Sequence, residues 1–244
     1  MGQRILLAGA TGVIGRRLMP LLRDAGHHVV GMTRSQSKAQ GPFDHGGEMV
    51  AADVFDAAAV ARVVASIRPD VVIHQLTDLS GLADPATASE ALRRNARIRK
   101  QGTRNLVDAA LAADVPHMVA QSIAWAYAPK TLPHAEDDAL DIHADEPRST
   151  TVGGVAALEA AVLNSPPMKG TVLRYGQLYG PGTGRDQPTG PAPLHVDAAA
   201  YAALLAVARG EAGIFNIAEP NTQVLTDKAT AKLGWRDDMR LPAA

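Results

Sequence analysis

The chain has no cysteine, so disulfide bridges and thiolate metal ligands are excluded as sources of stability or chemistry. Net charge is −1 with acids and bases interspersed, so there is no basic stripe for a phosphate backbone or an anionic membrane. Long apolar runs are also missing. The N-terminal run Ile5-Leu6-Leu7-Ala8 is too short for a signal peptide or a membrane span. These absences predict a cytoplasmic protein with neither a nucleic-acid nor a membrane partner.

With 244 residues, the chain can bury a sizeable core without staples. Short Val/Ile/Leu-rich runs recur at Ile5–Ala8, His28–Met32, Val71–His74, His117–Gln121 and Thr171–Arg174. Amphipathic stretches lie between them, including Ala57–Ile67, Ala88–Ala113 and Val155–Leu163. Apolar strands alternating with helices predict a parallel sheet covered on both faces. The fold class is therefore α/β, a Rossmann-like doubly wound sheet. Such sheets bind ligands beyond the carboxyl ends of their strands. Two loop-like regions, Ala128–Arg148 and Gly180–Pro193, are rich in turn residues.

The most informative segment is Gly9-Ala10-Thr11-Gly12-Val13-Ile14-Gly15, which follows the first apolar run and opens a helical stretch. Strand, glycine-rich turn and helix form the architecture that binds a dinucleotide pyrophosphate. Gly9 permits the tight turn, Gly12 admits the phosphates, and Gly15 lets the helix pack closely. The helix N-terminus supplies free N–H donors and partial positive charge. Thr11, Val13 and Ile14 join these glycines as cofactor-binding candidates.

The second strand ends in Met32-Thr33-Arg34-Ser35-Gln36-Ser37-Lys38, with no acid to repel a 2′-phosphate. Arg34 is a planar fork suited to phosphate, and Ser35 adds a hydroxyl. Lys38 and Arg16 are weaker candidates. A solvated basic loop is the alternative. This pattern predicts NADP, with NAD as the other possibility.

The G-x-x-G-x-x-G spacing resembles the extended and atypical branch of the short-chain dehydrogenase/reductases, the NAD-dependent epimerase/dehydratase family. Further segments agree in order: Ala51-Ala52-Asp53-Val54, Asp70–His74, Gly102–Ala110, Leu173–Gly182, His195-Val196-Asp197 and Gly213–Ile217. The resemblance implies that Asp53 and Val54 lie at the adenine. Asp53 could instead cap the Ala57–Ile67 helix, although Asp56 is better placed. It also implies a dinucleotide-binding domain over 1–170 and a small C-terminal substrate lobe over 171–244 that is integrated with it. That lobe is shortened, because only about a dozen residues, Thr183–Leu194, separate segments that relatives place far apart.

The chain departs from the family at its acid/base pair, Tyr-x-x-x-Lys. None of Tyr127, Tyr175, Tyr179 and Tyr201 has a lysine four residues later, and no lysine lies between Lys130 and Lys169. Aligning Glu159 on the family's glutamate puts Thr151 at the tyrosine position and Val155 at the lysine position.

Ser122 falls at the family's serine and either holds the substrate oxygen or caps a strand end. Tyr127 is the candidate replacement proton donor, or else a packed edge residue. Trp125, Tyr175 and His195 are the substrate-side candidates; His195 could serve as acid/base or as a structural histidine. His134, His143 and His195 lack metal-ligand spacing, so no metal is expected.

The sequence thus predicts an NADP-dependent oxidoreductase acting on a small carbonyl or alcohol. A non-catalytic NAD(P)-binding redox sensor and a sugar-nucleotide epimerase or dehydratase are the alternatives. The resemblance further implies a homodimer through Ala88–Ala113 and Val155–Leu163.

Overall fold

The computed structural model describes residues 2–40 and 47–242. Seven parallel strands form one sheet: β1 (Arg4–Ala8), β2 (His28–Thr33), β3 (Glu48–Ala51), β4 (Val71–His74), β5 (His117–Ile123), β6 (Lys169–Tyr175) and β9 (Gly213–Ile217). Their order is β3-β2-β1-β4-β5-β6-β9. The order reverses beside β1, which opens a crevice beyond the carboxyl ends of β1 and β4.

Strand alternation divides β1 between two cores. Ile5 and Leu7 join the core beneath α1 (Val13–Asp24) and α7 (Val196–Arg209), whereas Leu6 and Ala8 face α3 (Ala57–Ile67) and α5 (Thr103–Ala112). The alanines of α7 are almost all buried, and such small side chains let it lie close to α1. Beyond α8 (Asp227–Leu233), Trp235 closes this core, with its indole N–H donating to the Ala198 carbonyl at 2.9 Å. α3 begins where expected because Asp56 accepts from the Ala59 N–H at 2.9 Å.

One sequence expectation changes. Ala88–Ala113 is not one helix. It comprises α4 (Ala88–Arg97), a π-helical turn (Ile98–Gly102) and α5. A π-turn inserts one residue per turn and shifts the side chains that follow, a distortion common at functional sites.

The expected boundary at 170/171 falls inside β6, and β9 and α7 belong to the main α/β layers. The chain segment from 171 onward is thus largely built into the dinucleotide-binding unit. Its part outside the sheet includes the two-stranded pair β7 (Gln177–Tyr179) and β8 (Pro193–His195). The remaining helices are the short α2 (Gln36–Gln40) and α6 (Arg148–Leu163), which packs against β5 and β6.

Candidate active site

Two neighbouring depressions lie beyond the strand ends and share Thr77. The first, of about 220 Å³, starts at Gly9, Thr11 and Gly12 and runs past Arg34 and Ser35 to Asp53 and Val54. Gly9 has φ +93°, and a Cβ there would lie 2.6 Å from the Gln75 carbonyl oxygen, so only glycine fits. Gly12 caps α1 without any side-chain hydrogen bond, and the first turn carries no acid. The positive helix end is therefore open to an anion. Gln75 Oε1 is buried without a partner at the same cleft. Cradle, open helix end and orphaned acceptor fit a dinucleotide.

The other cofactor candidates divide by position. Val13 lines the second depression, while Ile14 and Gly15 are buried against the fold. A Cβ on Gly15 would lie 2.2 Å from the Gly9 oxygen, which explains its close packing. Arg34 extends into solvent with 74% of its side chain exposed, and its Nη1 is 3.5 Å from Asp78 Oδ2. Asp53 accepts from the Phe55 N–H at 2.9 Å in a local turn and does not cap α3.

The second depression, of about 440 Å³, has an apolar wall of Leu79, Leu82, Leu92, Ile123, Trp125 and Leu178. Its polar side includes Asn95, Arg99, Ser122, Thr151 and Tyr175. Ser122 Oγ donates to Glu159 Oε1 at 2.7 Å. Glu159 is gripped by Arg174 through two bonds, Nε to Oε1 at 2.9 Å and Nη2 to Oε2 at 2.6 Å. The serine proton is therefore committed to a buried ion pair. Thr151 lines the depression, and Val155 is fully buried beside Ile123, Ala126 and Val152. Tyr175 accepts a long hydrogen bond from Gln75 Nε2 at 3.4 Å, and burial pushes its phenol well above the usual tyrosine range.

Two expected site residues lie elsewhere. Tyr127 is absent from the wall of this depression. Its hydroxyl donates to Asn216 Oδ1 at 2.6 Å, its ring stacks on His134 at 4.6 Å, and the Arg174 guanidinium lies 4.7 Å over the ring. Burial raises its phenol. It is a packing residue behind the Glu159–Arg174 pair, not a poised proton donor.

His195 also stands outside the depression. Its Nδ1 accepts from the Asp197 N–H at 3.2 Å and caps α7, and its ring meets Tyr179 edge-on at 5.1 Å. Burial lowers its imidazole below the ordinary histidine range. Capping and packing account for its position.

Asn95 and Arg99 are pocket residues that the sequence pattern did not single out. Helical spacing gave them no distinction from other polar residues of α4 and its continuation.

Comparison with known proteins agrees with this geometry. The model of the NAD dependent epimerase/dehydratase family matches residues 5–212. The chain belongs to this family. One curated relative, the 3-diazoavenalumate denitrifying reductase of a Streptomyces species, is 42% identical over 266 residues. That match covers 99% of this chain and 85% of the relative.

Among solved structures, the Bordetella bronchiseptica enzyme WbmG in complex with NAD is 18% identical, with a TM-score of 0.75. The match covers 99% of this chain and 91% of WbmG. The Thermus thermophilus UDP-glucose 4-epimerase complex with NAD gives a TM-score of 0.73 at 19% identity. It covers 98% of this chain and 95% of the epimerase. At these identities the structures establish the shared fold of this family member.

Proposed function

We propose that this protein is an NADPH-dependent reductase that replaces a diazo group on an aromatic substrate with hydrogen, releasing dinitrogen. The observation that carries this reading is that both hydroxyls expected to serve a carbonyl, Ser122 and Tyr127, are engaged with the protein. Ser122 donates to Glu159, Tyr127 donates to Asn216, and among the hydroxyls left on the wall are those of Thr151 and of Tyr175, whose phenol burial holds protonated. Reducing a carbonyl creates an alkoxide that must be protonated. Replacing an aryl diazonium by hydride does not: the C–H bond forms, the C–N bond breaks, and neutral dinitrogen leaves. Where the ortho oxygen of the ring is already deprotonated, as in a diazo oxide, the same step leaves a phenolate, stable without immediate protonation. The diazo-reducing activity named for the Streptomyces relative supports the same chemistry.

Gly9, Thr11 and Gly12 would hold the cofactor's phosphates; Arg34, Ser35 and Lys38 would meet the 2′-phosphate, and Asp53 and Val54 the adenosine end. The bound reduced nicotinamide supplies the hydride. The chain's task is to hold a flat ring against the apolar wall and exclude water. The reading keeps a cytoplasmic homodimer built on the segments Ala88–Ala113 and Val155–Leu163.

The test is anaerobic incubation of the protein with NADPH and a 3-diazo-4-hydroxycinnamate. Equal loss of NADPH and gain of dinitrogen is the expected result. Turnover of simple ketones, with the diazo acid untouched, would overturn it.

A further inference from the structure

The pocket's apolar wall explains how it accepts a ring, but not the charge placed against that ring. Arg99 is only 6% exposed, sits on the π-helical turn Ile98–Gly102, and lines the second depression with Ser122 and Thr151. Among the described residues, no hydrogen bond or ion pair engages its guanidinium. Glu159 attracts it through space, but both Glu159 oxygens are already held by Arg174. His74, the buried histidine nearby, does not compensate. It carries no negative charge, and burial, with the field of Arg99, pushes it down to about 4. Arg99 is thus a largely buried side chain whose guanidinium, without a hydrogen-bonding partner among the described residues, keeps its contact with water only at the depression.

Leaving a buried guanidinium unsatisfied is strongly unfavourable, and such charges are normally paired or neutralised. Burial lowers Arg99 to about 10, which still leaves it charged at neutral pH. Its donor fork therefore lacks an acceptor that the protein does not provide. The unmet donors border the second depression. The shape of the fork matches an anionic oxygen, best a carboxylate taken through two parallel N–H donors.

We propose that Arg99 is the anion-binding group of the substrate pocket, and that the substrate is an aromatic molecule carrying an anionic oxygen. This deepens the diazo-reductase reading by naming its substrate class. The anionic oxygen has two sources on such a molecule, a side-chain carboxylate or a ring phenolate.

The test is binding, measured by calorimetry on the intact protein with bound NADP⁺. Three probes are compared: 4-hydroxycinnamate, its neutral amide, and methyl 4-hydroxy-3-nitrocinnamate, whose acidic phenol supplies the phenolate without a carboxylate. Wild type should bind at least one anionic probe about ten- to a hundredfold more tightly than the amide, the range of a charge-assisted hydrogen bond. The probe that shows the preference identifies the oxygen.

Arg99→Gln should bring the ratio close to one while leaving NADPH affinity unchanged, and Arg99→Lys should restore part of it. Equal binding of both anions and the amide by wild type would overturn the proposal without any variant. A preference that survives Arg99→Gln, or an equal loss of NADPH affinity, would also overturn it. Failure of diazo reduction alongside an Arg99-dependent preference would remove the reaction and keep the subsite.

Discussion

Ser122 gives its proton to Glu159 at 2.7 Å, inside the wall of the second depression. A hydroxyl has one proton, so this contact and a hydrogen bond to substrate oxygen exclude one another. Removing a true transition-state donor costs about 10²–10³ in turnover. Ser122→Ala should instead lower turnover by less than about tenfold. It should also reduce unfolding free energy by about 1–3 kcal/mol, because a buried carboxylate oxygen loses a donor. Single-turnover kinetics and urea unfolding separate the two effects. A hundredfold kinetic loss at unchanged stability would return Ser122 to the catalytic role.

The partner of that hydroxyl predicts a larger effect. Glu159 and Arg174 are both buried and joined by two hydrogen bonds. Glu159→Gln would strand the guanidinium. Breaking one side of a buried pair costs about 3–5 kcal/mol, whereas replacing both sides with apolar residues is often neutral. The double variant Glu159→Leu/Arg174→Met should therefore recover part of the loss. Denaturant midpoints of the two variants decide. A double variant less stable than Glu159→Gln alone would show that Arg174 is held chiefly by Glu136 and Tyr127, its other neighbours.

The sequence made local features legible and left long-range ones hidden. α3 and its Asp56 cap follow from residues within one turn of each other, and the structure reproduces both. The Gly9–Gly15 loop is equally local. Tyr127 could not be placed this way. Its orientation depends on Asn216, 89 residues away, and on Arg174, 47 positions later in numbering. Arg99 was hidden for another reason. A basic residue in a polar helical stretch normally faces solvent, and only the π-turn with α6 packed over it buries this one.

Cofactor preference rests on Arg34. It is exposed, reaches only a long contact with Asp78, and borders the adenosine end of the first cleft. Its freedom lets it swing toward a 2′-phosphate. Arg34→Ala should weaken NADPH about ten- to a hundredfold and barely change NADH. Equal weakening of both, measured by fluorescence titration, would remove its role as the phosphate reader. Wild-type preference for NADH would overturn the NADP assignment itself.

Acid should destabilise the fold through two buried histidines. His74 contacts Thr103 at 2.9 Å and His117 contacts Thr171 at 2.8 Å. Burial first, then Arg99 for His74 and Lys169 for His117, lowers each to about 4. The unfolded chain titrates near 6.5, so between these values it binds more protons than the folded chain. Stability is therefore complete above about 6.5 and falls as pH drops toward 4. Each histidine should cost about 2 kcal/mol between pH 7 and 5. His117→Asn should flatten the pH dependence of the urea midpoint by about half of their combined share. An unchanged slope would place the effect in other groups.

Gly12 and Gly9 should respond differently to substitution, because one meets ligand and the other meets protein. Gly12 has φ −77°, a conformation open to any L-residue. A Cβ there would lie 3.2 Å from the Gly9 oxygen, tight enough to require a shift of a few tenths of an ångström. Gly9 combines φ +93° with a Cβ position 2.6 Å from the Gln75 oxygen. Gly9→Ala should therefore lower the melting temperature and cofactor affinity together. Gly12→Val should leave folding nearly intact, yet set two methyl groups across the uncapped N-terminus of α1, where the pyrophosphate must approach. Its dinucleotide affinity should fall at least a hundredfold with a melting curve close to wild type. Calorimetry and thermal denaturation on the same samples provide the comparison. A Gly12→Val protein that still binds NADPH normally would mean that the phosphates lie away from this helix end.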